Sequence, residues 1–262
     1  MDKHLRVAGE VLRYRDEGRG PAAVFVHGWT LDLEMWEPQA AVLSSSRRII
    51  RMDRRGFGRS TGRPSLADDV SDLGRLIEEL QLNRFALIGM SQGTRVALQF
   101  AAISPQLIAC LILDGPPEFG PSRATEEIPY AHYRTLAQTQ GMAAFRTEWA
   151  RHPLVGLRTS DPEARASCDR MIARYPGHDL TDPVPPATCA VDLAAVAAHR
   201  LPTLVISGEH DLSSRQQSAA NLARQLGAAQ RAQIPNAAHL CNIDNPVAYN
   251  RVLKGFLDCH PN

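Results

Sequence analysis

Short, unbroken apolar runs punctuate the chain, and stretches of helical spacing lie between them. Ala22–His27 reads AAVFVH, and Phe85–Met90 and Ile108–Leu113 are similarly continuous. Runs of this length without polar alternation are the mark of strands buried on both faces. Arg48–Met52 and, after Pro202, Leu204–Ser207 read as further strands, and Arg231–Ile234 as a weaker one. Between them the period changes. Leu66, Val70, Leu73, Ile77 and Leu80 recur at helical spacing and predict a helix over Leu66–Leu82. Ser91–Ile103, Ser213–Leu226 and Pro246–Leu257 are read as helices too, and residues 5–16 as a short hairpin. Strands that alternate with helices in this way imply an α/β fold: a mostly parallel central sheet with helices on both faces.

One stretch breaks the rhythm. From Gly115 to about Ala190 no strand is evident. Helical patches run over Tyr130–Arg151 and Pro162–Tyr175, and a Pro-rich turn follows at Asp182-Pro183-Val184-Pro185-Pro186. The expected organisation is therefore one core made of residues 1–114 and 191–262, with residues 115–190 a helical cap insertion over one end of the sheet. Tyr133, Leu136, Met142, Phe145 and Trp149 fall on its underside. Amphipathic spacing is compatible with either a small core of its own or a pocket wall.

Composition narrows the partners. The chain has 262 residues, 44% of them hydrophobic, and its 29 Lys plus Arg balance 28 Asp plus Glu to a net charge of +1. Neither nucleic acid nor a membrane is expected as a partner on charge grounds. The five cysteines, Cys110, Cys168, Cys189, Cys241 and Cys259, form no CxxC pair and no Cys/His metal spacing. They read as reduced thiols of a cytoplasmic protein. The N-terminal MDKHLRVAGEVLRY carries no apolar leader core, and no run approaches the roughly 20 residues of a membrane span. Nothing in the composition speaks to oligomeric state.

The chemistry concentrates at Gly89-Met90-Ser91-Gln92-Gly93, which follows a buried strand and opens a helix. In that context G-x-S-x-G presents a serine on a strained strand-to-helix turn. Ser91 is the candidate nucleophile. A serine hydroxyl needs a base, and His239 is placed for it, in the loop between the last strand and the last helix. Asp211, after the strand Leu204–Ser207, is the candidate acid, which completes the chain order Ser, Asp, His. Asp114 also ends a strand and competes with it. The backbone amides of Trp29 and Gln92 are the candidate oxyanion donors, one after the first buried strand and one at a helix N-terminus. His27, Phe145 and Trp149 are the candidate substrate-binding side chains, His27 doubling as a support for the oxyanion loop. No metal or cofactor is needed for such a mechanism.

His27-Gly28-Trp29, Asp53-Arg54-Arg55-Gly56-Phe57-Gly58-Arg59-Ser60, the Ser91 elbow, Gly208-Glu209-His210-Asp211, and His239 before Asn245-Pro246 together resemble the single-domain α/β hydrolases. The nearest-looking members are carboxylesterases, enol-lactonases and cofactor-free haloperoxidase or perhydrolase-type esterases. The segment Trp149…Pro153-Leu154 is also similar to menaquinone-pathway lyases of this fold. The chain departs from many relatives at Gln92 and Thr94, where Met and Gly are usual. The resemblance implies hydrolysis of a small ester or lactone by an acyl-enzyme on Ser91. A lyase or C–C hydrolase built on the same triad, and a slow-turnover ligand receptor, are the competing expectations. It further implies that Asp53 and Arg55 belong to a structural loop, with Arg59 and Arg63 solvated.

Overall fold

Strands without polar alternation have to lie between two layers. The computed structural model, which describes residues 1–119, 128–183, 190–227 and 229–261, puts them there. A hairpin of β1 (Lys3–Val7) and β2 (Glu10–Glu17) starts the chain and is followed by β3 (Ala22–Val26), α1 (Glu37–Leu43), β4 (Arg48–Met52) and α2 (Leu66–Glu79). Then come β5 (Phe85–Met90), α3 (Gln92–Ile103) and β6 (Ile108–Asp114). Between β6 and the next strand lie α4 (Tyr130–Gln140), α5 (Met142–Trp149), α6 (Pro162–Arg174), α7 (His178–Thr181) and α8 (Leu193–Ala198). The chain ends with β7 (Thr203–Gly208), α9 (Ser213–Gln225), β8 (Gln230–Ile234), α10 (Cys241–Asp244) and α11 (Pro246–Cys259).

The eight strands form one sheet in the order β1-β2-β4-β3-β5-β6-β7-β8. β1, β2 and β4 pair antiparallel, and every pair from β4 to β8 is parallel. Alternate residues of the buried strands serve opposite layers. Phe25, Ile88, Ile112 and Ile206 pack with Trp36, Leu43, Leu253 and Leu257 of the α1/α11 layer. Val24, Leu87, Leu111 and Val205 pack with Leu73, Val96, Phe100 and Leu222 of the α2/α3/α9 layer.

The helix expected over Tyr130–Arg151 is broken at Gly141, whose φ of 85° ends α4 and starts α5. The elements α1, α7, α8 and α10 were not expected; each is short, and its pattern is too brief to show a period. The Pro-rich turn beyond Pro183 and Cys189 lie outside the described residues. Topology fixes where a site can form. The chain leaves β3 for β4 on one side, then crosses to β5 on the other, so a crevice opens beyond the C-terminal ends of β3 and β5. The β3 end carries Gly28-Trp29 and the β5 end carries Ser91.

Candidate active site

Ser91 sits at φ 51°, ψ −115°, a region that costs a non-glycine residue strain and has to be held by its surroundings. Its N–H donates to the Asp114 carbonyl at 2.7 Å, and its carbonyl accepts from the Thr94 N–H at 2.9 Å and the Thr94 hydroxyl at 2.5 Å. Thr94, the departure noted in the sequence, therefore clamps the elbow. The flanking glycines have no room for a side chain: a Cβ on Gly89 would lie 2.4 Å from the Gly93 carbonyl oxygen, and one on Gly93 would lie 2.4 Å from that of Val26. The absence of both side chains lets α3 start against the strand ends.

His239 and Asp211 are both buried, and His239 Nδ1 lies 2.9 Å from Asp211 Oδ2. The second Asp211 oxygen accepts from the Leu212 N–H at 2.8 Å. The loops that carry them are tied together, with the Glu209 N–H on the Ile234 carbonyl and the His210 N–H on that of Ala237. Asp244 fixes the residue before the histidine, its Oδ2 accepting from the Ala238 N–H at 2.7 Å. Gly115, at φ 54°, lies against the imidazole: a Cβ there would meet His239 Cε1 at 2.7 Å.

Ser91 and His239 line one cavity with Gly28, Trp29 and the apolar side chains of Leu31, Met90, Ile128, Trp149, Leu154 and Val155. About 20 Å³ of it is open to the centre of a water-sized sphere, room for about one water molecule. Asp211 stands behind His239, and Gln92 begins α3 beside Ser91. The Gln92 side chain points back to the core, where its Oε1 accepts from Arg54 Nη2 at 2.8 Å.

Two of the residues expected to bind substrate, His27 and Phe145, lie away from this cavity. His27 is fully buried and does not line the cavity; its Nδ1 is 2.7 Å from the Gly28 carbonyl oxygen, and its Nε2 accepts from the Arg54 N–H at 2.9 Å. Burial, then the Arg54 charge, hold its pKa well below the usual histidine range, so it is a neutral brace for the loop that carries Gly28 and Trp29. Phe145 is fully buried one helical turn behind Trp149, its ring stacked at 6.2 Å on the Trp149 ring, and it too is outside the cavity wall. The wall residues Ile128, Leu154 and Val155 carried no signal of their own in the sequence beyond the Pro153-Leu154 likeness.

Asp114 does not approach the triad as an acid. Its Oδ1 accepts from the Cys241 thiol at 3.2 Å, and the buried Tyr249 hydroxyl lies beside it without a well-aligned hydrogen bond. Burial pushes its pKa up to about 7, with hydrogen bonding opposing the shift. Cys241 is thus a packed thiol, not part of the cavity wall. The seven arginines between Arg47 and Arg63 each meet a carboxylate: Asp258, Asp16, Glu17, Asp69, Asp72, Asp2 and Asp182 in chain order. Asp53 accepts from the Leu33 and Arg59 N–H groups at 2.8 Å each, which closes the loop under the site. The run builds structure, and its charge is consumed within the protein.

A doubly wound sheet with a strained serine elbow at its switch point and a late His–Asp pair defines a class of hydrolytic enzymes. A family model described as alpha/beta hydrolase fold matches residues 21–246, and the chain belongs to that family. It is 28% identical to a putative non-heme chloroperoxidase of Synechocystis sp., over 94% of each chain. Among solved structures it resembles a thermophilic esterase from Thermogutta terrifontis, with a TM-score of 0.85, 25% identity and full coverage of both chains. It also resembles the enol-lactonase from Burkholderia xenovorans, with a TM-score of 0.77 and 25% identity over 98% of this chain and 100% of that one. Among the described residues no helix is long and apolar enough to cross a membrane.

Proposed function

We propose that the protein is a serine hydrolase of small carboxylic esters or lactones, working through an acyl-enzyme on Ser91. The observation that carries this reading is the elbow serine sharing one apolar cavity with a histidine whose Nδ1 is held 2.9 Å from a buried carboxylate. Ser91 Oγ attacks the carbonyl carbon while His239 Nε2 takes its proton, and the Asp211 carboxylate stabilises the imidazolium. The Trp29 and Gln92 amides donate hydrogen bonds to the carbonyl oxygen as negative charge develops on it. His239 returns the proton to the leaving oxygen, and a water repeats the sequence to release the acid. The segment between β6 and β7 acts as the cap. Its Trp149, Leu154 and Val155 enclose the reacting group, so the favoured acyl or alcohol portion is small and uncharged. The esterase and the enol-lactonase among the similar structures support the ester and lactone classes.

Ser91→Ala tests the reading. It is expected to lower kcat on a short-chain aryl ester by at least about 10³-fold with an unchanged melting temperature. A fluorophosphonate should label the wild type at Ser91 and fail to label the variant. Retention of more than about a tenth of kcat would overturn the assignment.

A further inference from the structure

Asp179 is a buried carboxylate on the short helix α7, and it lies 150 positions from the oxyanion loop in sequence. Three donors converge on it. The Trp29 indole Nε1–H donates to Oδ2 at 2.8 Å, the Tyr130 hydroxyl donates to the same oxygen at 2.9 Å, and the Tyr175 hydroxyl donates to Oδ1. Burial, then the neighbouring carboxylate, hold both phenols well above the usual tyrosine range, so both stay donors. The next residue of the loop is tied in the same direction. Thr30 stands at φ 62°, an outlier for a β-branched residue, and its hydroxyl accepts from the Trp149 indole at 2.8 Å. Two consecutive residues of the oxyanion loop are therefore held by side chains from the segment between β6 and β7. Trp29 also packs edge-on against Phe145, Trp149 and Tyr175, which leaves its ring a single seat.

We infer that Asp179 is a positioning residue for the oxyanion hole: by fixing the Trp29 indole it fixes the backbone on which the Trp29 amide is aimed at the reacting carbonyl. The inference rests on the acyl-transfer reading above. An aspartate suits the role because a carboxylate offers enough lone pairs for all three donors. A donor of an oxyanion hole is worth about 10²–10³ in kcat, and a displaced one forfeits part of that.

The test is a double-mutant cycle between Asp179→Leu and Trp29→Phe on a short-chain aryl ester, with kcat, KM and melting temperature measured for each protein. Binding of a trifluoromethyl ketone, which forms a tetrahedral oxyanion on the serine, is measured alongside. Asp179→Leu is expected to lower kcat by about tenfold to a hundredfold, to change KM by less than about threefold, and to weaken the ketone by the same factor as kcat. In the Trp29→Phe background, where the indole N–H is gone, Asp179→Leu should cost little further in kcat. Asp179→Asn, whose amide oxygen still accepts the indole N–H, should recover most of kcat, and Asp179→Ala, which removes the acceptor, takes the place of the leucine variant in the cycle where that variant does not fold. Equal losses in both backgrounds, or a lower melting temperature with kcat and ketone affinity unchanged, would overturn the inference. Fluorophosphonate labelling of wild-type Ser91 is scored separately, so a failure of the acyl-enzyme reading is told apart from a failure of this one.

Discussion

The two strand-end carboxylates, Asp114 and Asp211, illustrate how environment assigns roles to like residues. Asp211 faces an imidazole N–H and a backbone amide, whereas Asp114 faces a thiol and a phenol inside the α1/α11 layer. Under the proposed mechanism only the first has a partner that gains charge. Asp211→Asn is therefore expected to lower kcat by about 10³–10⁴-fold, because the amide no longer selects the imidazole tautomer. Asp114→Asn should leave kcat within about threefold. Its effect belongs to stability. Burial raises the Asp114 pKa from 3.8 to about 7, so between those values the native state holds a proton that the unfolded chain has released. The sign follows from linkage: the stabilisation is complete below about pH 4, is lost as pH rises, and is gone above about pH 7. Unfolding free energies measured from pH 4 to pH 8 should shift in favour of Asp114→Asn with rising pH, by roughly 4 kcal/mol at the upper limit. Parallel profiles for the two proteins would show that the carboxyl is solvated in solution.

At the level of elements, what was legible follows from how local the signal is. β3, β5, β6 and β7 declare themselves through apolar continuity, and Ser91 through glycines two places either side, because a tight strand-to-helix turn is encoded in five consecutive residues. The pairing of His239 with Asp211 follows from their places after β8 and β7. Asp179 was not, since its meaning depends on Trp29, Tyr130 and Tyr175 arriving from three separate segments. The α5 helix shows the same limit on a smaller scale. Phe145 and Trp149 share one helical face, and spacing alone cannot say that Trp149 reaches the cavity while Phe145 stops behind it. The two positions should separate in experiment. Phe145→Ala is expected to cost about 3–5 kcal/mol of stability and to lower kcat/KM for all esters by one common factor. Trp149→Ala opens the wall and should raise the kcat/KM of bulky acyl esters relative to acetyl. A ranking of esters left unmoved in both variants would show that α5 acts only as a packing unit.

For the molecule as a whole, the small cavity poses a problem of access. With room for about one water beside Ser91, an ester is expected to reach the serine when the segment between β6 and β7 parts from the sheet. Its attachments define what must break. Arg174, at the end of α6, donates to Asp32 Oδ2 from Nε at 3.0 Å and Nη2 at 2.7 Å, and to Glu34 Oε2 at 2.6 Å. Asp32 is fully buried, and its pKa is raised by burial while the Arg174 charge opposes the rise. Further along, the Arg158 and Thr159 N–H groups reach Asp244 Oδ1 at 2.6 and 3.1 Å, and Asp244 also fixes the loop before His239. These polar contacts stand beside an aromatic set, in which Trp29 packs against Phe145, Trp149 and Tyr175 and Phe57 stacks on Tyr175, so opening has to break both sets and weakening either should favour it. Arg174→Met removes the one cation that faces Asp32 from α6 and is expected to lower the opening free energy by about 2 kcal/mol, since one partner is left buried and unpaired. Native-state hydrogen exchange is the direct measure. Amides of α4, α5 and α6 should exchange faster in the variant by a common factor, while amides of β3, β5, β6 and β7 keep their wild-type rates. Uniform acceleration across both groups would mean that cap and core open as one unit, and that the ester must reach Ser91 by another path.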